Sequence, residues 1–200
     1  MAGSSARPVS GVVPNEPHVE AAFQAVPETA VAEILDGELF AMPRPRPRHA
    51  RVATRLAGRL RPFDDPPDGP GPWVLLLEPE LHLGGKPDKA VPDIAGWRRE
   101  HLPASVFDDD ALGAITIAPD WICEVLSEHT ERVDRGKKMR IYRREGVRHV
   151  WLISATLQTL EVYRLDEGNW TLVETFEGDA DVRAEPFDAI DLSLSALWAR

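Results

Sequence analysis

The sequence predicts a domain of the α/β or α+β class, a mixed sheet with helices near its start and middle. Three observations lead there. The apolar runs Trp73-Val-Leu-Leu-Leu77, Trp121-Ile-Cys-Glu-Val-Leu126 and Val150-Trp-Leu-Ile153 have the length and character of buried strands. Residues 49–60 place Val52, Leu56 and Leu60 at helical spacing, and 132–145 form a basic helical pattern closed by Gly146. Residues 159–164 alternate, and Asp166-Glu-Gly-Asn169 turns them into 170–173 as a hairpin.

Each element has its own signal. Residues 1 to about 20 are rich in Pro, Gly and Ser without periodicity, so 1–22 is expected to be a flexible tail and 23–200 a single domain. Residues 27–35 place Val31, Ile34 and Leu35 on one helical face, and Asp36-Gly37 turns the chain into a strand over 38–42. Pro43, Pro45 and Pro47 alternate with Arg44, Arg46 and Arg48 and enforce an extended loop before the helix at 49–60. A Pro/Gly/Asp loop over 64–72 leads to the strand at 73–77, which 80–83 is expected to continue after a bend at Pro79. Residues 84–88 form a turn and 90–97 the next strand; 98–113 are polar and loop-like, with an acidic patch at Asp108-Asp109-Asp110. An edge strand over 187–192 and a short helix over 193–198 are expected to close the chain.

Bulk properties bound the function. No run of about 18 apolar residues exists, so no membrane span is expected. The N-terminus lacks the apolar core of a secretory signal, and a lone cysteine, Cys123, fits a reducing cytoplasm. The net charge of −10 argues against a nucleic-acid partner, but its distribution argues back. Seven arginines and no acid lie between 41 and 63, and eight Lys/Arg lie between 132 and 148, together 15 of the 23 basic residues. Arg44, Arg46, Arg48, Arg51, Arg55, Arg135 and Lys137 are the candidate DNA contacts. The competing explanation is an ordinary solvated face.

Two carboxylates stand inside apolar runs: Asp93 in Val-Pro-Asp-Ile and Glu124 in the run at 121–126. Burying an unpaired carboxylate is costly, so such positions need a reason. If their strands are neighbours, both acids converge, and a divalent cation such as Mg²⁺ or Mn²⁺ would relieve their repulsion. Asp134, Lys138 and Tyr142 follow at i, i+4 and i+8 on one helical face, so Lys138 can reach toward Glu124. A surface salt bridge plus a core tyrosine is the competing explanation of that spacing. Glu33, His49 and Glu80 are auxiliary candidates, each with an ordinary surface or capping role as its alternative.

Pro92-Asp93, Glu124-Val-Leu-Ser127, Asp134-x3-Lys138-x3-Tyr142, Gly146-Val147 and Val150-Trp151-Leu152 stand here in order. Glu33-x3-Gly37-Glu38-Leu39 and His49 precede them. This ordered set resembles the Uma2 family, also called DUF820, which is similar to restriction endonucleases of the PD-(D/E)XK class. The likeness covers roughly residues 25–198. It implies a restriction-endonuclease-like core, a central mixed β-sheet flanked by helices, with extra C-terminal antiparallel strands. It also implies a metal-dependent endonuclease acting on DNA, with Asp93 and Glu124 as metal ligands and Lys138 as the third catalytic residue. One departure stands out: the position two after Glu124 is Leu126, where the parent nuclease pattern has lysine. Lys138 matches a lysine relocated to the following helix. The alternative function is a catalytically degenerate nuclease-fold module that binds DNA or protein. The Trp-rich C-terminal strands offer a surface for a homodimer.

Overall fold

The computed structural model describes residues 14–64, 71–108 and 113–199. Residues 1–13 of the expected tail, 65–70 of the Pro/Gly/Asp loop, and Asp109 and Asp110 of the acidic patch lie outside them. A six-stranded mixed sheet runs in the order β10-β9-β8-β7-β6-β3. Its strands are β3 (Trp73–Leu77), β6 (Ile94–Arg98), β7 (Trp121–Leu126), β8 (His149–Ser154), β9 (Thr159–Asp166) and β10 (Asn169–Glu177). Only β7 and β8 pair in parallel. That pairing needs a crossover, supplied by a continuous helix over 131–144, here α3. A second, four-stranded antiparallel sheet has the order β2-β1-β5-β4. It comprises β1 (Ala30–Leu35), β2 (Glu38–Pro43), β4 (Leu81–Leu83) and β5 (Asp88–Ala90).

The two faces of the large sheet bury separate cores. One face carries Trp73, Trp121 and Trp151 against Phe187 and helix α2 (Pro47–Asp64), with ring centroids of the four aromatics 4.8–5.6 Å apart. The other face packs Ile122, Leu126, Val150 and Leu152 against Met139, Ile141 and Tyr142 of α3 and against Leu35, Leu81 and Leu83 of the small sheet. Strand β7 is buried along its whole length, so it reads as a continuous apolar run rather than an alternating one.

Several expectations are corrected. Residues 30–35 are strand, not helix, because Asp36 and Gly37 both take positive φ (53° and 78°) and close a two-residue hairpin with Leu35 opposite Glu38. That turn chemistry outweighs the helical spacing of Val31, Ile34 and Leu35. Residues 81–83 belong to the small sheet rather than continuing β3; Glu78, at φ 47°, turns the chain ahead of Pro79. The strand expected over 90–97 is two strands in different sheets, broken at Val91-Pro92-Asp93. A helix, α1 (Pro17–Gln24), lies across the expected tail boundary, with Pro17 in its first turn where a missing N–H costs nothing. Of the expected edge strand at 187–192, only Leu192 joins a strand: β12 (Leu192–Ser193) pairs with β11 (Asp181–Val182). A short C-terminal helix follows over Ser195–Trp198.

Helix α3 departs from regular geometry where it meets the sheet. It is α-helical over Glu131–Val133, π-wound over Asp134–Lys138 and α-helical again over Met139–Arg144. A π turn widens the helix by one residue and is found mostly as a single turn, frequently at functional sites.

Candidate active site

The break at 91–93 creates the first half of the site. The ladder between β6 and β7 ends at Ile94 opposite Cys123. Val125, the next residue of β7 that would donate toward β6, therefore has no backbone acceptor there. Asp93 supplies one: its Oδ2 accepts the Val125 N–H at 2.7 Å. Asp93 lies just past the last pair of that ladder and lines the same cleft as Glu124.

The π-wound turn supplies the second half. Lys138 and Asp134 are both 3% exposed, as is Glu124, and Glu33 is fully buried. The Lys138 Nζ lies 3.0 Å from Glu124 Oε1, 3.0 Å from Glu33 Oε1 and 3.5 Å from Asp134 Oδ1. Tyr142, one turn further, donates its hydroxyl to Glu124 Oε1 at 2.5 Å. Glu33 reaches in from β1 of the small sheet, and its Oε1 also accepts the Val91 N–H at 2.7 Å. It pins the strand break and the lysine together. His49, in the first turn of α2, sets its Nε2 3.3 Å from Asp93 Oδ2.

The charges do not balance. Glu33, Glu124 and Asp134 surround one ammonium. Burial pushes the Glu124 carboxyl well above the usual range; Lys138 pulls it back only in part, and Asp134 and Asp93 push it further up. Burial raises Glu33 and Asp134 as well, partly offset by Lys138. Burial alone would lower the Lys138 ammonium, but Glu124 and Glu33 outweigh it and hold the proton firmly. For His49, the hydrogen bond and charge of Asp93 likewise overcome burial and raise it. Lys138 is therefore a fixed cation and hydrogen-bond donor, not a base.

This excess of negative charge fits a hard cation. One Glu33 oxygen, Oε2, is buried without a hydrogen-bond partner among the described residues. No group of three or more His, Cys, Asp and Glu among the described residues is already spaced to hold a metal ion. The arrangement fits an ion that takes one or two carboxylates and fills its remaining positions with water and substrate oxygens, as Mg²⁺ does. It does not fit a closed cage of protein ligands.

A cleft of about 450 Å³ opens over these groups. Asp93, Glu124, Asp134 and Lys138 line it, with His49 and the Pro-Arg strap of residues 43–48 on one side and the 127–130 turn on another. Among the predicted basic contacts, Arg44, Arg46 and Arg48 reach the cleft. The others do not line it. Arg135 makes a bidentate pair with Glu161 (2.6 and 2.8 Å), Lys137 pairs with Glu38 at 3.0 Å, and Arg51 and Arg55 donate to the Ala199 carbonyl. Glu80 pairs with His82 at 2.6 Å and does not line the cleft. Glu33 reaches the site from a strand rather than the expected helix. Asp134 joins the carboxylate cluster itself, a role its i,i+4 spacing to Lys138 signalled only as a salt bridge.

A family model described as "Uma2: Putative restriction endonuclease" matches residues 21–196. Among solved structures, the chain is similar to one described as "a putative nuclease belonging to DUF820" from Anabaena variabilis. The two share 26% identity and a TM-score of 0.68, over 88% of this chain and 95% of that one. No curated protein matches the chain.

Proposed function

The chain belongs to the Uma2 family, and on that premise we propose that it is a metal-dependent endonuclease that hydrolyses DNA phosphodiester bonds at the cleft over Asp93, Glu124 and Lys138. One observation carries the reading: the ammonium of Lys138, delivered by the π-wound turn, lies 3.0 Å from Glu124 in a cleft that Asp93 also lines. A cation is thus available where the parent nuclease pattern has its strand lysine, although Leu126 occupies that strand position.

Asp93 and Glu124 would hold Mg²⁺ or Mn²⁺, and a bound ion of this kind lowers the pKa of its water and neutralises charge on the phosphate. The remaining work falls to the chain. Asp93 is oriented by the Val125 N–H and by His49, so its carboxylate is fixed before any substrate arrives. Glu124 is oriented by Tyr142. Lys138, kept protonated by its acidic neighbours, can donate to the attacking water or to a phosphate oxygen as negative charge builds up in the transition state. Arg44, Arg46 and Arg48 supply sequence-independent contacts to the phosphate backbone.

Asp93→Ala should lower the rate of DNA cleavage in Mn²⁺ by about 10²–10³-fold, the usual cost of losing one preorganised charge-stabilising group. Its circular dichroism spectrum should match that of the unaltered protein. A purified protein that cuts no plasmid, linear, single-stranded or branched DNA in either metal would remove the proposal's main support.

A second reading keeps the fold and drops the chemistry. Lys138 is already paired with both Glu33 and Glu124, which favours a module that binds DNA or protein without turnover. Calorimetric titration with Mn²⁺ separates the two, since only a working site should take up the ion. No helix among the described residues is long and apolar enough to cross a membrane. We place the protein in the cytoplasm on the strength of its single, buried thiol, Cys123. We place a homodimer contact at the open edge of β10, where Leu172 and Val173 are exposed; light scattering tests it.

A further inference from the structure

We infer that the cleft takes a single strand of DNA, such as an unpaired end or flap, in preference to an intact duplex; this rests on the phosphodiesterase reading of the same site. The reacting groups lie deep. Glu124 and Lys138 are 3% exposed and sit at the floor of a concavity of about 450 Å³. That volume lies within the range of small-molecule pockets, about 300–1,000 Å³.

The walls are also joined. Arg46, from the strap between β2 and α2, meets His129, from the turn between β7 and α3, with Nη2 3.2 Å from Nε2. Both residues line the cleft, so the contact links two of its sides. A duplex is stiff over about 150 base pairs and holds its phosphates on the outside of a wide rod. Its stiffness opposes bringing one phosphate down to groups that are only 3% exposed. A single strand bends at every nucleotide and can be drawn in.

The chemistry of the walls points the same way. Beside the arginines stand Val31, Met42, Pro43, Pro45 and Leu126. Apolar surface suits the face of an unstacked base, which a duplex does not present, and guanidinium planes also serve as stacking partners for single strands. The positive charge available is short in reach. Arg46 lies against the His129 ring and Arg48 donates to the Ala155 carbonyl, so neither contact is with a carboxylate. Arg135 and Lys137, which could have extended the track for a duplex, are neutralised by Glu161 and Glu38. The net charge of −10 opposes a long polyanion elsewhere on the surface.

The test is fluorescence anisotropy with a labelled 12-nucleotide strand and its blunt duplex, in Ca²⁺, followed by cleavage of both in Mn²⁺. The strand should bind at least about tenfold tighter. Its affinity should fall with salt at a slope of about −2 in log–log form, as expected for about three phosphates contacted on a single strand. Arg46→Ala should reduce that slope by about 0.7. Equal or tighter duplex binding, or binding of neither form, overturns the strand preference. Tight strand binding with cleavage of neither form supports the preference while removing the hydrolytic reading beneath it. Equal cleavage of both forms with equal binding does the reverse.

Discussion

Lys138 holds together carboxylates that could not otherwise be buried side by side. Replacing it with methionine, which keeps the length of the stem, leaves Glu33 and Glu124 without their cation. Breaking a buried pair by removing one partner costs about 3–5 kcal/mol. Lys138→Met should lose that much in urea unfolding at pH 8 and less at pH 5, where the freed carboxyls take up protons. Arg135 makes a contrasting case nearer the surface. Its guanidinium holds Glu161 below the ordinary value of 4.5. A depressed carboxyl contributes stability above its unfolded pKa and loses it as pH falls through the folded value. Arg135→Ala should therefore cost about 1 kcal/mol at pH 7. The deficit in melting temperature should shrink as the pH drops below 4.5. At this scale the sequence was informative about Asp93, Glu124 and Lys138, since two acids interrupt apolar runs and the lysine follows at helical spacing. It was poor on Glu33. A carboxylate in Ala-Val-Ala-Glu-Ile-Leu fits a helix surface as readily as a buried strand, and only its partner across the fold decides between them.

Among the elements, β6 is the least forgiving. A Cβ on Gly96 would lie 2.8 Å from Leu75 and 3.1 Å from Trp121, in the layer where the tryptophans stack. Gly96→Ala should destabilise by about 1–3 kcal/mol, the usual cost of overpacking, as read from the urea midpoint. Strands β3, β7 and β8 were legible as short, nearly unbroken apolar runs, and helix α2 as a clear helical period. The boundary between β5 and β6 was not, because Ala-Val-Pro-Asp-Ile continues the apolar run while its backbone leaves one sheet for the other. The π-wound turn was likewise invisible. Asp134, Lys138 and Tyr142 satisfy an ordinary helical period, and the extra width of that turn shows only once the lysine is seen among the acids. Helix α1 was masked by Pro14 and Pro17, which read as tail composition although Pro17 opens the helix.

For the molecule as a whole, the family and fold expected from the ordered motifs are those found. A cation bound only by the folded state stabilises it by mass action, about 2.7 kcal/mol at a hundred times Kd. Adding Mn²⁺ should therefore raise the melting temperature, and a chelator should reverse the rise. Because burial and its acidic neighbours favour a proton on Glu124, the ion must displace that proton, and the shift should be larger at pH 8 than at pH 6. Asp93→Ala should abolish it.

The strand break at 91–93, tied by Glu33 to one sheet and by Asp93 to the other, has a consequence during synthesis. The reacting centre draws on β1, the start of α2, the break itself, β7 and α3, so a nascent chain released before α3 has no lysine among its acids. Under the proposed nuclease reading, cleavage would therefore arrive only with the completed fold.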